Sequence, residues 1–263
     1  MARFTASATA ALAGVLLAGT AATDHARADD HGDEQKMVCQ QKTFEKGLKY
    51  QQQSAEMDSL QRQAYTLAKI RLKEELDKHG GPEGLAVVTD VDETVFDNTP
   101  LLVRDMNACR AYQAWDTWGH WEREGDPELI PGAMDFLTYA DDKGLDIFYI
   151  SNRFDKNKSH TIETMKEKNL PQVSKDTVML YDLSKKERRA KVREDHKIVL
   201  LLGDSLHDFH HVFGDASMDK RREKAAEHAQ KFGDKWIMFP NATYGDWTEA
   251  ELETWDAPIE VDE

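Results

Sequence analysis

The chain has 263 residues, 40% of them apolar, and carries 34 basic against 49 acidic side chains, a net charge of −15. That length and apolar content suit a single α/β domain with an added element. The acidic balance argues against a binder of nucleic-acid polymers or anionic membranes, and a phosphate site here must carry its own local positive field.

Residues 1–28 read as a secretory signal. Arg3 is the basic start, Ala10 to Ala18 the apolar centre, and Ala26-Arg27-Ala28 a small-residue cleavage site. The apolar centre is short for a membrane span, so no stable anchor is expected, with a retained N-terminal anchor as the alternative. Cleavage near Ala28 would leave a periplasmic or secreted protein. Cys39 and Cys109 are the two cysteines. An oxidising compartment allows one disulfide, and two separate buried thiols are equally consistent with the sequence. Residues 29–82 form a helical lead-in, with a stripe of Leu60, Ala64, Leu67, Ala68 and Leu72 that Gly80-Gly81-Pro82 brings to an end.

Four apolar runs follow, rich in β-branched and aromatic residues: 85–89, 146–150, 197–202 and 235–239. Such runs read as buried strands. Helical patterns separate them at 132–143, 161–168, 184–195 and 218–232. The alternation predicts right-handed crossovers and a mostly parallel sheet, an α/β sandwich over 83–245 with a small helical cap inserted around 99–130. An acidic tail, 246–263, closes the chain.

Each run ends in polar residues, the rim where parallel sheets bind ligands. The first ends in Asp90-Val91-Asp92-Glu93-Thr94, followed by Asp97-Asn98. Side chains alternate along a strand, so Asp90 and Asp92 point into one volume. Two carboxylates there repel unless a cation or a shared proton offsets them, and Mg²⁺ with oxygen ligands is the usual remedy. One carboxylate can then attack while the other moves a proton. An acidic, solvated turn is the alternative for an isolated Asp-x-Asp. The other runs end in Ser151-Asn152-Arg153, in Gly203-Asp204 with Asp208, and in Pro240-Asn241. His207 and His211 could share a helical face and hold a transition metal, but a lone His-x-x-x-His pair is a weak signal.

Together with Pro131-Gly132-Ala133, Ser184-Lys185-Lys186 with Arg189, Tyr244-Gly245 and the upstream Tyr50 to Glu56, these clusters resemble the haloacid-dehalogenase (HAD) superfamily. More narrowly they resemble the class C bacterial acid phosphatases, relatives of the lipoprotein nucleotidases. The resemblance covers nearly all of the chain beyond the signal. It implies a HAD-like Rossmannoid three-layer sandwich and a Mg²⁺-dependent phosphomonoesterase. Asp90 is then the nucleophile and a metal ligand, and Asp92 the acid–base with its backbone carbonyl on the metal. Ser151 and Asn152 hold the phosphoryl group, and a lysine offsets its charge. The family's Ser-x-Lys-x-x-Arg pattern selects Lys186 over Lys185. Asp204 is a metal ligand, with Asp208 holding a coordinated water or orienting the lysine. Many relatives are lipoproteins, and here no cysteine follows the apolar centre.

Between the first two strands, Trp115, Trp118 and Trp121 follow Tyr112 at a spacing that makes an aromatic stripe on a helix. The resemblance singles out Trp118 and Tyr244 as a sandwich around a base or aryl group. It thereby implies nucleoside monophosphates and aryl phosphates as small-molecule substrates, an acidic pH optimum and a possible homodimer. Phosphotransfer to an alcohol or nucleoside, and a non-catalytic binding or storage relative, are the alternative readings.

Overall fold

The computed structural model describes residues 39–110, 115–214, 216–256 and 259. The signal segment, the start of the lead-in and Tyr112 lie outside these residues.

The lead-in forms two helices with different duties. α1 (Glu45–Gln53) packs on α3 (Thr99–Asn107) of the inserted segment. Ser54 caps α2 (Ala55–His79) by accepting from the Met57 amide, and Gly80, in the left-handed region at φ 74°, ends it. Ala64, Tyr65, Ala68 and Leu72 of α2 are buried against the sheet, so this helix is a layer of the core.

Five parallel strands make the sheet: β1 (Leu85–Thr89), β4 (Asp146–Phe154), β5 (Val178–Tyr181), β6 (Lys197–Gly203) and β7 (Trp236–Met238). Their spatial order is β5-β4-β1-β6-β7. The chain moves outward from β1 through β4 to β5, then returns to the other side of β1 at β6. The topological switch therefore lies at the carboxyl end of β1, directly under Asp90. β5 has no counterpart among the predicted strands. It is short, and a four-residue run carries little periodic signal.

Burial alternates as the pleat requires. Leu85 and Val87 face one layer with α2, α5 (Ala133–Asp142) and α6 (Lys158–Glu167), whereas Ala86 and Val88 face α7 (Lys185–Asp195) and α8 (Met218–Glu227). Helices on both faces give the expected three-layer sandwich. The insertion after β1 is a short antiparallel pair, β2 (Phe96–Asp97) with β3 (Glu128–Leu129), enclosing α3 and α4 (Trp118–Glu124). Leu48, Leu101, Leu102, Met106 and Trp118 form a separate small core under this cap. A disulfide joins Cys39 to Cys109 across 70 residues, fastening the chain ahead of α1 to the residues just after α3. No helix among the described residues is long and apolar enough to cross a membrane.

Candidate active site

Asp90 follows the last residue of β1, and its amide donates to the Leu202 carbonyl of the neighbouring strand. This fixes the loop to the sheet at the switch point. The loop turns sharply at Glu93, whose φ of 57° is left-handed. The Tyr65 hydroxyl braces it by donating to the Thr94 carbonyl.

Asp90, Asp204 and Asp208 each offer an oxygen within 4.8 Å of the others. Burial, with Asp208 second, pushes the Asp204 carboxyl up to about 7, and its side-chain partner is the Asn241 amide at 2.7 Å. Burial also drives the Asp90 carboxyl well above the usual range, against the opposing pull of Lys185. Burial alone would lower Lys185, but Asp208 and Asp90 outweigh it and hold the ammonium above its ordinary value. One ammonium among three carboxylates, Asp90 and Asp208 buried and Asp204 half-buried, leaves the cluster short of positive charge. Hard oxygen donors in that number fit a divalent cation of the Mg²⁺ or Ca²⁺ kind. Among the described residues this cluster contains no histidine. His207 and His211 lie on separate turns, and His207 pairs with Asp246 at 2.8 Å.

The lysine at this site is Lys185, where the family pattern had selected Lys186. Lys185 Nζ lies 2.5 Å from Asp90 Oδ1 and also bonds Asp208. Ser184 caps α7, which makes Lys185 its first residue, and the buried face continues through Arg188, Arg189 and Val192. Those positions follow the i, i+3, i+4, i+7 spacing, so Lys186 turns outward and is exposed. The same face fastens two motif loops. Arg188 donates to the Ser151 and Met179 carbonyls and to Asn152 Oδ1, while Arg189 donates to the His207 and Asp208 carbonyls.

The Asp92 carboxylate is not in the three-carboxylate cluster. It accepts from Ser151 Oγ at 2.9 Å, Asn98 Nδ2 at 3.0 Å and Arg153 Nε at 2.9 Å. Ser151 is fully buried and Asn152 exposed. Arg153 and Asn98 join the expected site residues here. Arg153 sits two residues after Ser151 on β4, so strand alternation brings both to one face. That periodicity was the available signal.

The three tryptophans do not make one helical stripe. Trp115 precedes α4 with a left-handed φ of 58° and is 43% exposed, Trp118 is 5% exposed, and the Trp121 indole donates to Asn98 Oδ1. Trp118 meets Tyr244 edge-on at 5.8 Å and an interplanar angle of 85°, and Trp115 meets Tyr244 at 5.4 Å and 89°. Perpendicular rings this close leave no slot for a flat ring between Trp118 and Tyr244, in contrast to the expected sandwich. Trp118 backs an aromatic corner whose accessible surface comes from Trp115 and Tyr244. The Tyr244 hydroxyl bonds the fully buried Glu93, whose carboxyl burial, with Asp92 nearby, pushes well above the usual range.

Residues 9–247 match the family described as HAD superfamily, subfamily IIIB (acid phosphatase). The structure of the class C acid phosphatase from Bacillus anthracis is 35% identical, with a TM-score of 0.75 over 80% of this chain and 88% of that one. A tungstate-bound structure of the class C acid phosphatase from the same organism is 34% identical, with a TM-score of 0.76 over 83% of this chain and 94% of that one. The chain belongs to the acid phosphatase family of HAD subfamily IIIB, and is a phosphomonoesterase.

Proposed function

We propose that this enzyme acts outside the cytoplasm as a Mg²⁺-dependent acid phosphatase. Its substrates are phosphate monoesters with a flat aromatic leaving group, nucleoside monophosphates and aryl phosphates, and it works through an aspartyl-phosphate on Asp90. The observation that carries this reading is the meeting of Asp90, Lys185, Asp204 and Asp208 at the carboxyl end of β1. The relative solved with tungstate, a tetrahedral oxyanion like phosphate, supports a phosphoryl group as the ligand.

Asp90, Asp204 and Asp208 would hold the cation, whose chemistry is to draw charge from the phosphoryl oxygens. Asp90 attacks phosphorus, forming the acyl phosphate as the bond to the leaving oxygen breaks. Asp92 gives that oxygen a proton, then takes one from the water that attacks the intermediate, releasing phosphate and restoring Asp90. Arg153, Asn98 and Ser151 hold Asp92 in place for both transfers. Ser151 Oγ would also donate to a phosphoryl oxygen. Lys185 neutralises charge at the nucleophile.

The Cys39–Cys109 disulfide supports export, because such bonds persist in oxidising compartments. Phosphate release from a nucleoside 5′-monophosphate and an aryl phosphate, with Mg²⁺ and then with a chelator, tests the reading. Mg²⁺-dependent release from both is expected. Full activity after exhaustive chelation would refute the metal requirement.

A further inference from the structure

Glu93 is a buried carboxyl that the reaction above does not use. It lies in the loop that carries Asp90 and Asp92, is 0% exposed, and adopts a left-handed backbone at φ 57° that costs a non-glycine residue energy. Its amide donates to the Phe96 carbonyl at 2.8 Å, which closes the turn. Both carboxyl oxygens are committed. Oε1 accepts from the Asn98 amide at 2.9 Å, and Oε2 bonds the Tyr244 hydroxyl, 151 residues away in sequence. Asn98 in turn holds Asp92 through Nδ2 and receives the Trp121 indole through Oδ1.

These contacts form one buried connection from the acid–base carboxylate to the aromatic corner. Tyr244 comes from the segment after β7, and its ring touches Trp115 and Trp118 of the cap. The segment's backbone is tied at one end of the residue, where Asn241 accepts from the Tyr244 amide and Gln51 accepts from the Ala242 amide. The bond to Glu93 ties the hydroxyl end of the ring to the Asp90 loop.

We propose that Glu93 is a positioning residue for leaving-group selection. By holding the Tyr244 hydroxyl it fixes the aromatic corner at a set place relative to Asp90 and Asp92, without touching substrate. The inference rests on the proposed preference for aromatic leaving groups and assigns that preference to a residue outside the binding surface.

The test is the ratio of kcat/KM for a nucleoside 5′-monophosphate over kcat/KM for glycerol phosphate, a small alkyl ester. Loss of one positioning hydrogen bond corresponds to about a tenfold fall in that ratio for Glu93→Ala, carried by a higher KM for the nucleotide. Tyr244→Phe, which keeps the ring, should fall by a similar factor. The double variant should lose no more than either single, because both remove the same link. Glu93→Gln keeps two polar positions and should restore the ratio to within about twofold of wild type.

An unchanged ratio in Glu93→Ala, with both substrates slowed alike, would overturn the inference and leave only a structural role. Fully multiplicative losses in the double variant would do the same. Should Glu93→Ala fail to fold, Tyr244→Phe decides, and an unaltered ratio there overturns the proposal. A wild type with no nucleotide preference would remove the aromatic leaving-group reading and this inference together. A wild-type preference untouched in the variants would remove this inference alone.

Discussion

The Cys39–Cys109 disulfide closes 70 residues, from the first described residue to just after α3. The perturbation is the double substitution Cys39→Ser with Cys109→Ser, or reduction of the wild type. In the loop-entropy model, a cross-link over this separation removes about 4 kcal/mol of chain freedom from the unfolded state. For a domain of this size, each kcal/mol corresponds to about 2–4 °C in Tm, so the melting temperature should fall by roughly 10 °C. The small cap core beneath it, Leu48, Leu101, Leu102, Met106 and Trp118, is not deleted, so the fold should survive and the loss should remain conformational. Equilibrium urea unfolding of oxidised, reduced and doubly substituted protein gives the difference directly. Agreement between the reduced and substituted proteins, both about 4 kcal/mol below the oxidised form, is expected. A difference under about 1 kcal/mol would refute the reasoning, because the lead-in would then be held by packing alone.

Lys185→Met should lower kcat by about 10²–10³, the usual cost of removing a preorganised electrostatic partner, whereas exposed Lys186→Met should stay within about twofold. Steady-state kinetics on an aryl phosphate separate them, and the reverse ranking would contradict the helical-face argument. Arg153→Met leaves the Asp92 carboxylate without its buried cation and should cost about 3 kcal/mol in urea unfolding, together with a lower kcat. In the metal-free protein Asp204 should contribute less stability as pH rises. Asp204 has its folded value at about 7 against 3.8 for the free group, so between these it holds more proton in the native state than in the unfolded chain. Its contribution should therefore be fully present below pH 4, fall through the window and level off above pH 7, with saturating Mg²⁺ flattening the trend. Thermal melts of wild type and Asp204→Asn at several pH values, with and without Mg²⁺, check this: without metal the Tm of Asp204→Asn should gain on wild type from pH 4 to 7, and a constant difference would refute it.

The sheet was legible because parallel strands buried on both faces leave unbroken apolar runs, such as Leu85 to Thr89 and Ile198 to Leu202. Polar clusters at the ends of those runs marked the rim. β5 escaped because its four residues carry too little pattern. The choice of lysine was within reach of the sequence. Val192 anchors the buried face of α7, and counting back seven residues reaches Lys185, so helical periodicity was a better guide than motif spacing. The ring geometry at Trp118 and Tyr244 was out of reach, because the angle between the rings depends on where the segment after β7 comes to rest. That in turn depends on distant contacts, Ala242 to Gln51, Asn241 to Asp204 and Tyr244 to Glu93, that no local pattern encodes. The disulfide was likewise open in the sequence, since two cysteines do not reveal whether their backbones meet.

The central claim, that Asp90 attacks phosphorus, is tested most directly by trapping the enzyme during turnover. Wild type and Asp90→Asn would be mixed with an excess of aryl phosphate and Mg²⁺, quenched in acid within milliseconds, digested and analysed by mass spectrometry. A phosphoryl adduct on the wild-type peptide carrying Asp90, absent from Asp90→Asn together with turnover, is the predicted result. An adduct on another residue, or sustained turnover by Asp90→Asn, would contradict the account.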